Sequence, residues 1–330
     1  MKKKLILLFV LLIIIIIFSL FSGITKISPL DFLAGNLSET ESAVFWNFRF
    51  YRVVGAALIG AVLAVAGLTL QSLFANPLVE PYTLGISGGA NLGISFAVVL
   101  SSLFGLGGGA LFAGNFGFFT FGILGAGAIS AVLLFSAFLP NQTATRILLT
   151  GLTISYISAG ISMLLLTFVR ADDLQKIINW GLGSVADLDK QSVIFMTAVF
   201  VPSIAFLSCK TMIMNVLQFG EEDAKALGIS VKKERITLLA VSAILVASAV
   251  SFCGSIGFVG LLSPHIARKL FGEDNRILLP ASMLVGAFLL TIADLIARTL
   301  FVPRELPAGV ITGIFGGLLF IYLLNSGERK

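Results

Sequence analysis

The chain has 330 residues, of which 57% are hydrophobic and 12% are charged, and its formal net charge is +5. Soluble globular domains are about half apolar and about a quarter charged, so this composition excludes an ordinary soluble protein. The excess of Lys and Arg requires no nucleic-acid partner, because membrane proteins carry such an excess on their cytoplasmic loops.

The apolar residues form continuous runs long enough to cross about 30 Å of hydrocarbon as helices. Lipid satisfies no free backbone groups, and the runs do not alternate as barrel strands do, so the spans are predicted to be helical. The prediction is an all-α polytopic membrane protein with about ten transmembrane helices in a single transmembrane domain, residues 1–330. The predicted spans cover residues 5–23, 53–74, 84–104, 117–139, 147–169, 192–208, 236–253, 256–271, 278–297 and 306–325.

The first run follows Lys2, Lys3 and Lys4, as the apolar stretch of a signal peptide would. No clear small-residue cleavage site follows the run. A retained first span is therefore predicted, with a cleaved signal as the alternative.

Charge predicts the orientation. With ten spans and the N-terminus inside, fourteen Lys and Arg residues fall on the inner side and eight on the outer side. Because cytoplasmic loops carry the positive excess, both termini are predicted to be cytoplasmic.

Three polar stretches are predicted to be more than simple connectors. Residues 76–81 contain two prolines, which cannot lie inside a regular helix without a break. Residues 174–185 are amphipathic and fall on the outer side, as a surface helix or re-entrant segment would. Residues 209–235 form the longest inner connection and combine charge with a helical pattern.

The sequence holds little catalytic chemistry. It contains no G-x-x-x-x-G-K-[ST] loop, so the chain is not expected to hydrolyse ATP. His265 is the only histidine, and Cys209 and Cys253 lie at the edges of different spans, so neither a metal site nor a disulfide is predicted. No catalytic residue and no bound cofactor is expected. His265 is interpreted as a polar residue serving the backbone of a broken helix, with a catalytic or ligand role as the alternative.

Ionisable residues inside a membrane are costly and mark candidate sites. Asp294 and Arg298 are four positions apart and can pair on one helical face. Asp294 is either half of a structural ion pair or the coupling carboxylate of an ion-driven carrier. Arg49 and Arg52, with no acidic residue within helical reach after Glu41, are either snorkelling side chains or a basic outer rim that receives an acidic partner.

Eight segments between about residues 48 and 324 follow the order of motifs in a known family. They are FRFYR at 48–52, GLTLQSLFANPLVEPYTLGISGGANLG at 67–93, RILLTG at 146–151, NWGLGS at 179–184, GEEDAKALGIS at 220–230, GSIGFVGLLSPHIARKLFG at 254–272, LPASMLVGAFLLTIADLIAR at 279–298 and ELPAGVITGIFGGLLFIYLL at 305–324. This set resembles the FecCD-type permeases, the membrane subunits of ABC importers for ferric siderophores, haem and cobalamin. Residues 94–140 match only as a hydrophobic pattern.

The resemblance implies the type II ABC importer permease fold in a bacterial plasma (inner) membrane. It implies a second permease subunit, either a copy of this chain or a paralogue, and two cytoplasmic ATPase subunits that carry ATP and Mg. It also implies an extracytoplasmic substrate-binding protein. The chain itself is then not an enzyme, and it moves a ferric siderophore, haem or cobalamin inward by ATP-driven alternating access.

Site residues follow from the resemblance one by one. Binding-protein docking is implied for Arg49, Arg52 and Arg298, although Phe50-Tyr51 replaces the family's usual Leu-Pro. Coupling to the ATPase is implied for residues within the 209–235 loop, namely Gly220, Glu221, Ala224, Leu227 and Gly228. A cytoplasmic gate is implied for Asn76, Leu78, Asn141, Gln142 and Thr143.

Two other classes of function stay open from the residues alone. An ion-gradient-driven secondary transporter would use Asp294 as its coupling carboxylate and would need no ATPase. A membrane-embedded enzyme would need a catalytic constellation, and the sequence shows none.

Overall fold

The computed structural model describes residues 2–23, 25, 27–103, 115–140, 142–169 and 171–327. All regular secondary structure within these residues is helical. A π-helix covers Val44–Arg49 and a 3-10 helix covers Pro81–Leu84. The α-helices are α1 (Lys2–Phe21), α2 (Pro29–Ala34), α3 (Glu39–Ala43), α4 (Phe50–Leu73), α5 (Ile86–Leu103), α6 (Asn115–Phe138), α7 (Ala144–Leu166), α8 (Ala171–Gly181), α9 (Lys190–Leu217), α10 (Glu221–Ala226), α11 (Val231–Cys253), α12 (Val259–Phe271), α13 (Asn275–Thr299) and α14 (Ala308–Gly327).

Each of the ten predicted spans lies on a helix. Among the described residues, seven helical stretches are long and apolar enough to cross a membrane: α1, the continuous helix Glu39–Leu73, α6, α7, α9, α11 and α13. The other three predicted spans correspond to α5, α12 and α14. Of these, α12 has only 13 residues, which rise about 20 Å and fall short of a full crossing.

The helix that contains α4 begins earlier than the sequence suggested. Ser38 and Glu41 form a capping box, in which the Glu41 N–H donates to Ser38 Oγ and the Ser38 N–H donates to Glu41 Oε2. The chain then passes through α3 and the π-helix into α4 without a break, for 35 residues. The unusual Phe50-Tyr51 pair therefore lies inside a continuous helix.

The predicted sixth span and the long inner connection also have different limits. Helix α9 continues to Leu217, nine residues past the predicted end at 208, and α11 begins at Val231. Lys210, within the predicted connection 209–235, lies on α9 with its Nζ 2.8 Å from Glu234 of α11. The connection between α9 and α11 therefore covers only residues 218–230. We term it the coupling segment, after its predicted role.

The core lies around α4, which packs along α13, α11 and α12. Glycines allow these backbones to touch. A Cβ atom added at Gly60 would lie 2.2 Å from the carbonyl oxygen of Gly286, and one added at Gly67 would lie 2.0 Å from that of Gly260. By contrast, α1 is largely exposed along its apolar length, as a helix that faces lipid would be.

Polar contacts tie helix ends together on one side of the bundle. Lys4 Nζ donates to the carbonyl oxygen of Leu270, and Lys269 Nζ donates to that of Leu323. The start of α1 and the end of α14 therefore lie on the same side. Asn215, at the end of α9, donates to Asp274, which caps the start of α13. This hydrogen bond lowers the pKa of Asp274 below its ordinary value.

Candidate transport site

A cluster of charged residues gathers at the end of the bundle opposite these contacts. We term it the outer charge cluster, because this end is predicted to be the outer one; it comprises Arg49, Arg52, Asp294, Arg298 and Glu305. Arg52 Nε lies 2.9 Å from Asp294 Oδ1, and Arg52 Nη1 lies 2.8 Å from Glu305 Oε2. Arg298 Nε lies 3.7 Å from Asp294 Oδ2, which confirms the predicted pair on one helix face. Asp294 is 1% exposed, and a carboxylate that leaves water needs such partners.

Two arginines of the cluster attach α1 and the segment after it. Arg298 Nη2 donates to both the backbone oxygen and the hydroxyl of Ser19, and Arg49 Nη2 donates to the backbone oxygen of Thr25. Gly23 makes room for this arrangement, because a Cβ atom there would lie 2.7 Å from Arg49 Nη2. Guanidinium groups thus hold α1 to α13 and the segment after α1 to the π-helix.

The three arginines predicted to receive a binding protein line one outer cavity of about 250 Å³. Arg49 and Arg298 are buried, and the Arg52 side chain is 11% exposed. The sequence suggested that Arg49 and Arg52 lack an acidic partner. Arg52 instead pairs with Glu305, which is 253 positions away in the chain and therefore out of reach of a helical pattern. The cluster is partly neutralised rather than a free positive rim.

The predicted coupling residues surround the short helix α10. Gly220, with φ +123°, precedes it, and Gly228, with φ +77°, follows it. The Gly228 N–H donates to the carbonyl oxygen of Lys225, and the Ile229 N–H donates to the carbonyl oxygen of Ala224. These two hydrogen bonds form a Schellman motif. Gly228 thus ends α10 as a left-handed residue, in keeping with the predicted helix stop.

The exposed residues of the coupling segment are not the same as the residues predicted to contact the ATPase. Ala224 is fully buried, so it supports α10 from beneath and cannot itself touch a partner. Leu227 is 69% exposed and stays a candidate. Sequence reasoning missed its exposed neighbours Phe219, Glu222 and Asp223, although the acidic pair stands in the same motif.

Glu221 faces inward and joins the coupling segment to a predicted gate residue. Its carboxylate pairs with the buried guanidinium of Arg235, and its Oε1 accepts from the Ala144 N–H at 3.3 Å. Arg235 Nη1 donates to the Gln142 carbonyl oxygen at 2.8 Å. Thr143 caps α7 by accepting from the Arg146 N–H. The structure therefore brings together residues that were predicted as two separate sites.

The other predicted gate residues lie between α4 and α5. Asn76 Oδ1 accepts from the Leu78 N–H at 2.9 Å, which fixes a turn, and Leu78 is 54% exposed. Asn141 lies outside the described residues. An exposed apolar side chain on a turn that Asn76 stabilises fits the predicted plug, and the role of Leu78 stays a prediction.

Glu80 is a contact that sequence reasoning missed. Its Oε2 accepts from the N–H of Phe258 at 3.1 Å, and Phe258, with φ +66°, starts α12. Burial raises the pKa of Glu80 above its ordinary value, and the Phe258 hydrogen bond lowers it in part. The end of the Asn76–Leu78 turn is thereby joined to the short helix α12.

His265 offers no ligand set. Its ring lies edge-on to Phe320 at 6.0 Å between centroids, and its Nε2 has no hydrogen-bond partner among the described residues. Within the described ranges, no group of three His, Cys, Asp or Glu side chains could hold a metal ion.

Comparison with known proteins decides the family. The sequence profile of the FecCD transport family matches residues 11–326. This chain belongs to the FecCD transport family. It is accordingly a multi-pass membrane protein and the permease subunit of an ABC importer of the type II class.

Relatives support the assignment along most of their length. An ABC transporter permease protein of Methanocaldococcus jannaschii is 38% identical over 90% of this chain and 86% of its own. The vitamin B12 import permease BtuC of Salmonella arizonae is 34% identical over 94% and 90%. The hemin transport permease HmuU of Yersinia pestis is 35% identical over 87% and 85%. These FecCD relatives are transport permeases rather than enzymes.

Solved structures agree with the fold. A metal-chelate type ABC transporter in an inward-facing conformation superposes with a TM-score of 0.87, at 30% identity over 99% of this chain and 100% of its own. PsaBC of Streptococcus pneumoniae, with a TM-score of 0.55 and 17% identity over 86% and 93%, shares the fold alone. Nothing in these FecCD comparisons favours the secondary transporter, and the two arginines around Asp294 suit a structural ion pair.

Proposed function

We propose that this chain forms one wall of the path through which an ABC importer moves a metal chelate into the cytoplasm, with a ferric siderophore as the expected cargo and haem or cobalamin as alternatives. The FecCD match over residues 11–326 carries the proposal. Relatives named for hemin and vitamin B12, and a structural neighbour named for metal chelates, support this ligand class.

The partners follow from the same assignment. Two cytoplasmic ATPase subunits bind ATP and Mg beneath the coupling segment, and a second permease subunit completes the path. Both termini are cytoplasmic in the plasma membrane, as the positive excess on the inner side supports. The exposed Phe219, Glu222, Asp223 and Leu227 are the proposed ATPase contacts, with Glu221 acting from behind them.

The outer charge cluster is the proposed docking site of a substrate-binding protein. Arg52 and Glu305 are its more accessible members. Because they already pair with each other, an acidic group of the partner would exchange for Glu305 rather than meet a free arginine. Such an exchange of charge partners would weaken with salt.

The gate is proposed at the inner side. Leu78 acts as the apolar plug and Asn76 as its polar support, with residues 141–143 opposite. Alternating access then requires that movement of the coupling segment reach these residues as a rigid-body shift.

Reconstitution tests the proposal. The permease is placed in liposomes with its ATPase subunits and binding protein, and uptake of a ⁵⁵Fe-loaded hydroxamate siderophore, hemin or cyanocobalamin is measured in parallel. We expect uptake of one probe that requires both the binding protein and hydrolysable ATP, and that stops with a non-hydrolysable ATP analogue.

Two results would contradict the proposal. Uptake that an ion gradient drives without the ATPase would replace it by the secondary transporter. Failure of all three probes, with ATP hydrolysis intact, would reject the proposed ligand class.

A further inference from the structure

Two inner elements that are far apart in sequence meet at one side chain. The coupling helix α10 starts at Glu221, and the connection between α6 and α7 ends at Gln142 and Thr143. No backbone hydrogen bond between α10 and this connection appears among the described contacts. Their polar links are made by side chains: Glu221 accepts directly from the Ala144 N–H of α7, and it reaches the Gln142 carbonyl oxygen through Arg235 of α11.

Arg235 holds both elements with one planar group. Nη1 donates to the carbonyl oxygen of Gln142, and Nη2 pairs with Oε1 of Glu221. The same Oε1 accepts from the N–H of Ala144, the first residue of α7. A guanidinium has a fixed fork of donors, which makes it suited to fixing two acceptors at one geometry.

Burial makes this link difficult to break. Arg235 is buried and the Glu221 side chain is 34% exposed. If α10 moved without the α6–α7 connection, a buried guanidinium would lose its charge partner, which is strongly unfavourable. Movement of α10 together with the start of α7 and with Arg235 of α11 keeps every one of these contacts.

Two other charged side chains of α11, Lys232 and Glu234, do not link α10 to the residues before α7. Lys232 Nζ donates to the carbonyl oxygen of Phe138, so it holds the end of α6 but does not reach α10. Glu234 pairs with Lys210 and joins α11 to α9. Arg235 alone among these three side chains contacts both α10 and the residues predicted as a gate.

We infer that Arg235 is a positioning residue that carries movement of the ATPase-coupling helix to the cytoplasmic gate, through Glu221 on one side and Gln142 on the other. The inference rests on the proposed ATP-driven function and assigns a route to it. It also changes the role of Glu221, whose carboxylate serves the internal link rather than a direct contact with the ATPase.

Distances between spin labels in the complete transporter test the inference. In a background with Cys209→Ser and Cys253→Ala, pairs of labels are placed at Ala226→Cys with Arg276→Cys and at Thr145→Cys with Arg276→Cys. These three positions are exposed and lie on α10, α7 and α13. Each distance is measured without nucleotide and after trapping with ATP, Mg and vanadate.

With Arg235 present, we expect trapping to shift both distances. With Arg235→Met, the 226–276 distance still shifts and the shift of the 145–276 distance is reduced, because only the Glu221–Ala144 hydrogen bond remains. Lys232→Met is the matched control, because it removes a cation of the same helix and one hydrogen bond to the end of α6, and both shifts should persist. Glu221→Gln keeps Arg235 in place and should reduce only the 145–276 shift, which covers the case in which Arg235→Met fails to fold.

The outcomes separate the two proposals. If trapping shifts both distances equally in Arg235→Met and in the parent protein, Arg235 is not the link and the proposed function stands. If trapping shifts neither distance in the parent protein, ATP does not drive this chain, and both the proposed function and this inference are rejected.

Discussion

At the outer end of α13, one carboxylate balances two guanidinium groups that are themselves largely buried. Asp294 contacts Arg52 and Arg298, and these arginines also hold Glu305 and Ser19. Such a site is tolerated only when every buried charge has its partner, because a buried charge without a partner costs more free energy than the pair contributes.

Replacing this carboxylate should therefore destabilise the fold. We expect Asp294→Asn to lower the free energy of unfolding by about 3–5 kcal/mol, since two buried arginines would lose their partner. Thermal unfolding of the purified protein in detergent measures the effect. The control is Glu305→Gln, whose side chain is 41% exposed and should cost about 0–1 kcal/mol.

The same variant distinguishes the two readings of Asp294. A protein with an unchanged unfolding temperature that no longer transports would contradict the structural ion pair. It would favour a carboxylate that takes part in ion coupling.

How far these residues could be predicted depends on their distance in the chain. The Asp294–Arg298 pair was predicted because i, i+4 neighbours share a helix face. The pairs Arg52–Glu305 and Glu221–Arg235 were not predicted, because nothing in a single sequence says which helix ends meet. The burial of Ala224 was missed for the same reason.

At the scale of single elements, α10 is bounded by two glycines with positive φ, Gly220 and Gly228. Its acidic first turn favours the helix N-terminus. Its end is set by Gly228 in the left-handed region, where a side chain costs about 1–2 kcal/mol.

Substitution of Gly228 should loosen α10 without a steric clash. A Cβ atom added there would meet no atom within 4 Å, so Gly228→Ala carries only the backbone cost, about 1 kcal/mol. Hydrogen exchange of residues 221–227 should become faster, and Gly228→Asn should have a smaller effect because Asn tolerates this conformation.

Gly127→Ala is the matched control for this change. It also adds a methyl group in open space, but inside α6, where alanine is favoured over glycine by about 0.5–1 kcal/mol. Exchange in 221–227 should not change in that variant. If Gly228→Ala behaved like the control, the end of α10 would not depend on glycine.

The helices themselves were predictable because a continuous apolar run has no other stable form in lipid. Shorter elements were not: α2, α3 and the π-helix contain polar residues or are too short for periodicity to identify them. Helix α9 was predicted too short, because residues 209–235 were assigned to one inner connection, whereas α9 continues to Leu217 and its Lys210 pairs with Glu234 of α11.

At the scale of the whole molecule, these polar contacts of charged side chains lie at the two opposite ends of the helix bundle. Lys4, Lys232, Arg235 and Lys269 all contact groups at one end of the bundle, and the outer charge cluster lies at the other. The fourteen-to-eight charge distribution predicts that the first end is cytoplasmic.

Cysteine labelling from each side of the membrane tests that assignment. In the background without native cysteines, Leu227→Cys and Leu33→Cys lie at opposite ends and are 69% and 81% exposed in the parent residues. A membrane-impermeant maleimide should label Leu33→Cys in intact cells, and Leu227→Cys only in inside-out vesicles. Ile59→Cys, at a fully buried position in α4, should stay unlabelled in both. The reverse pattern would retain the fold but invert the transporter, which would place the coupling segment outside and remove it from any cytoplasmic ATPase.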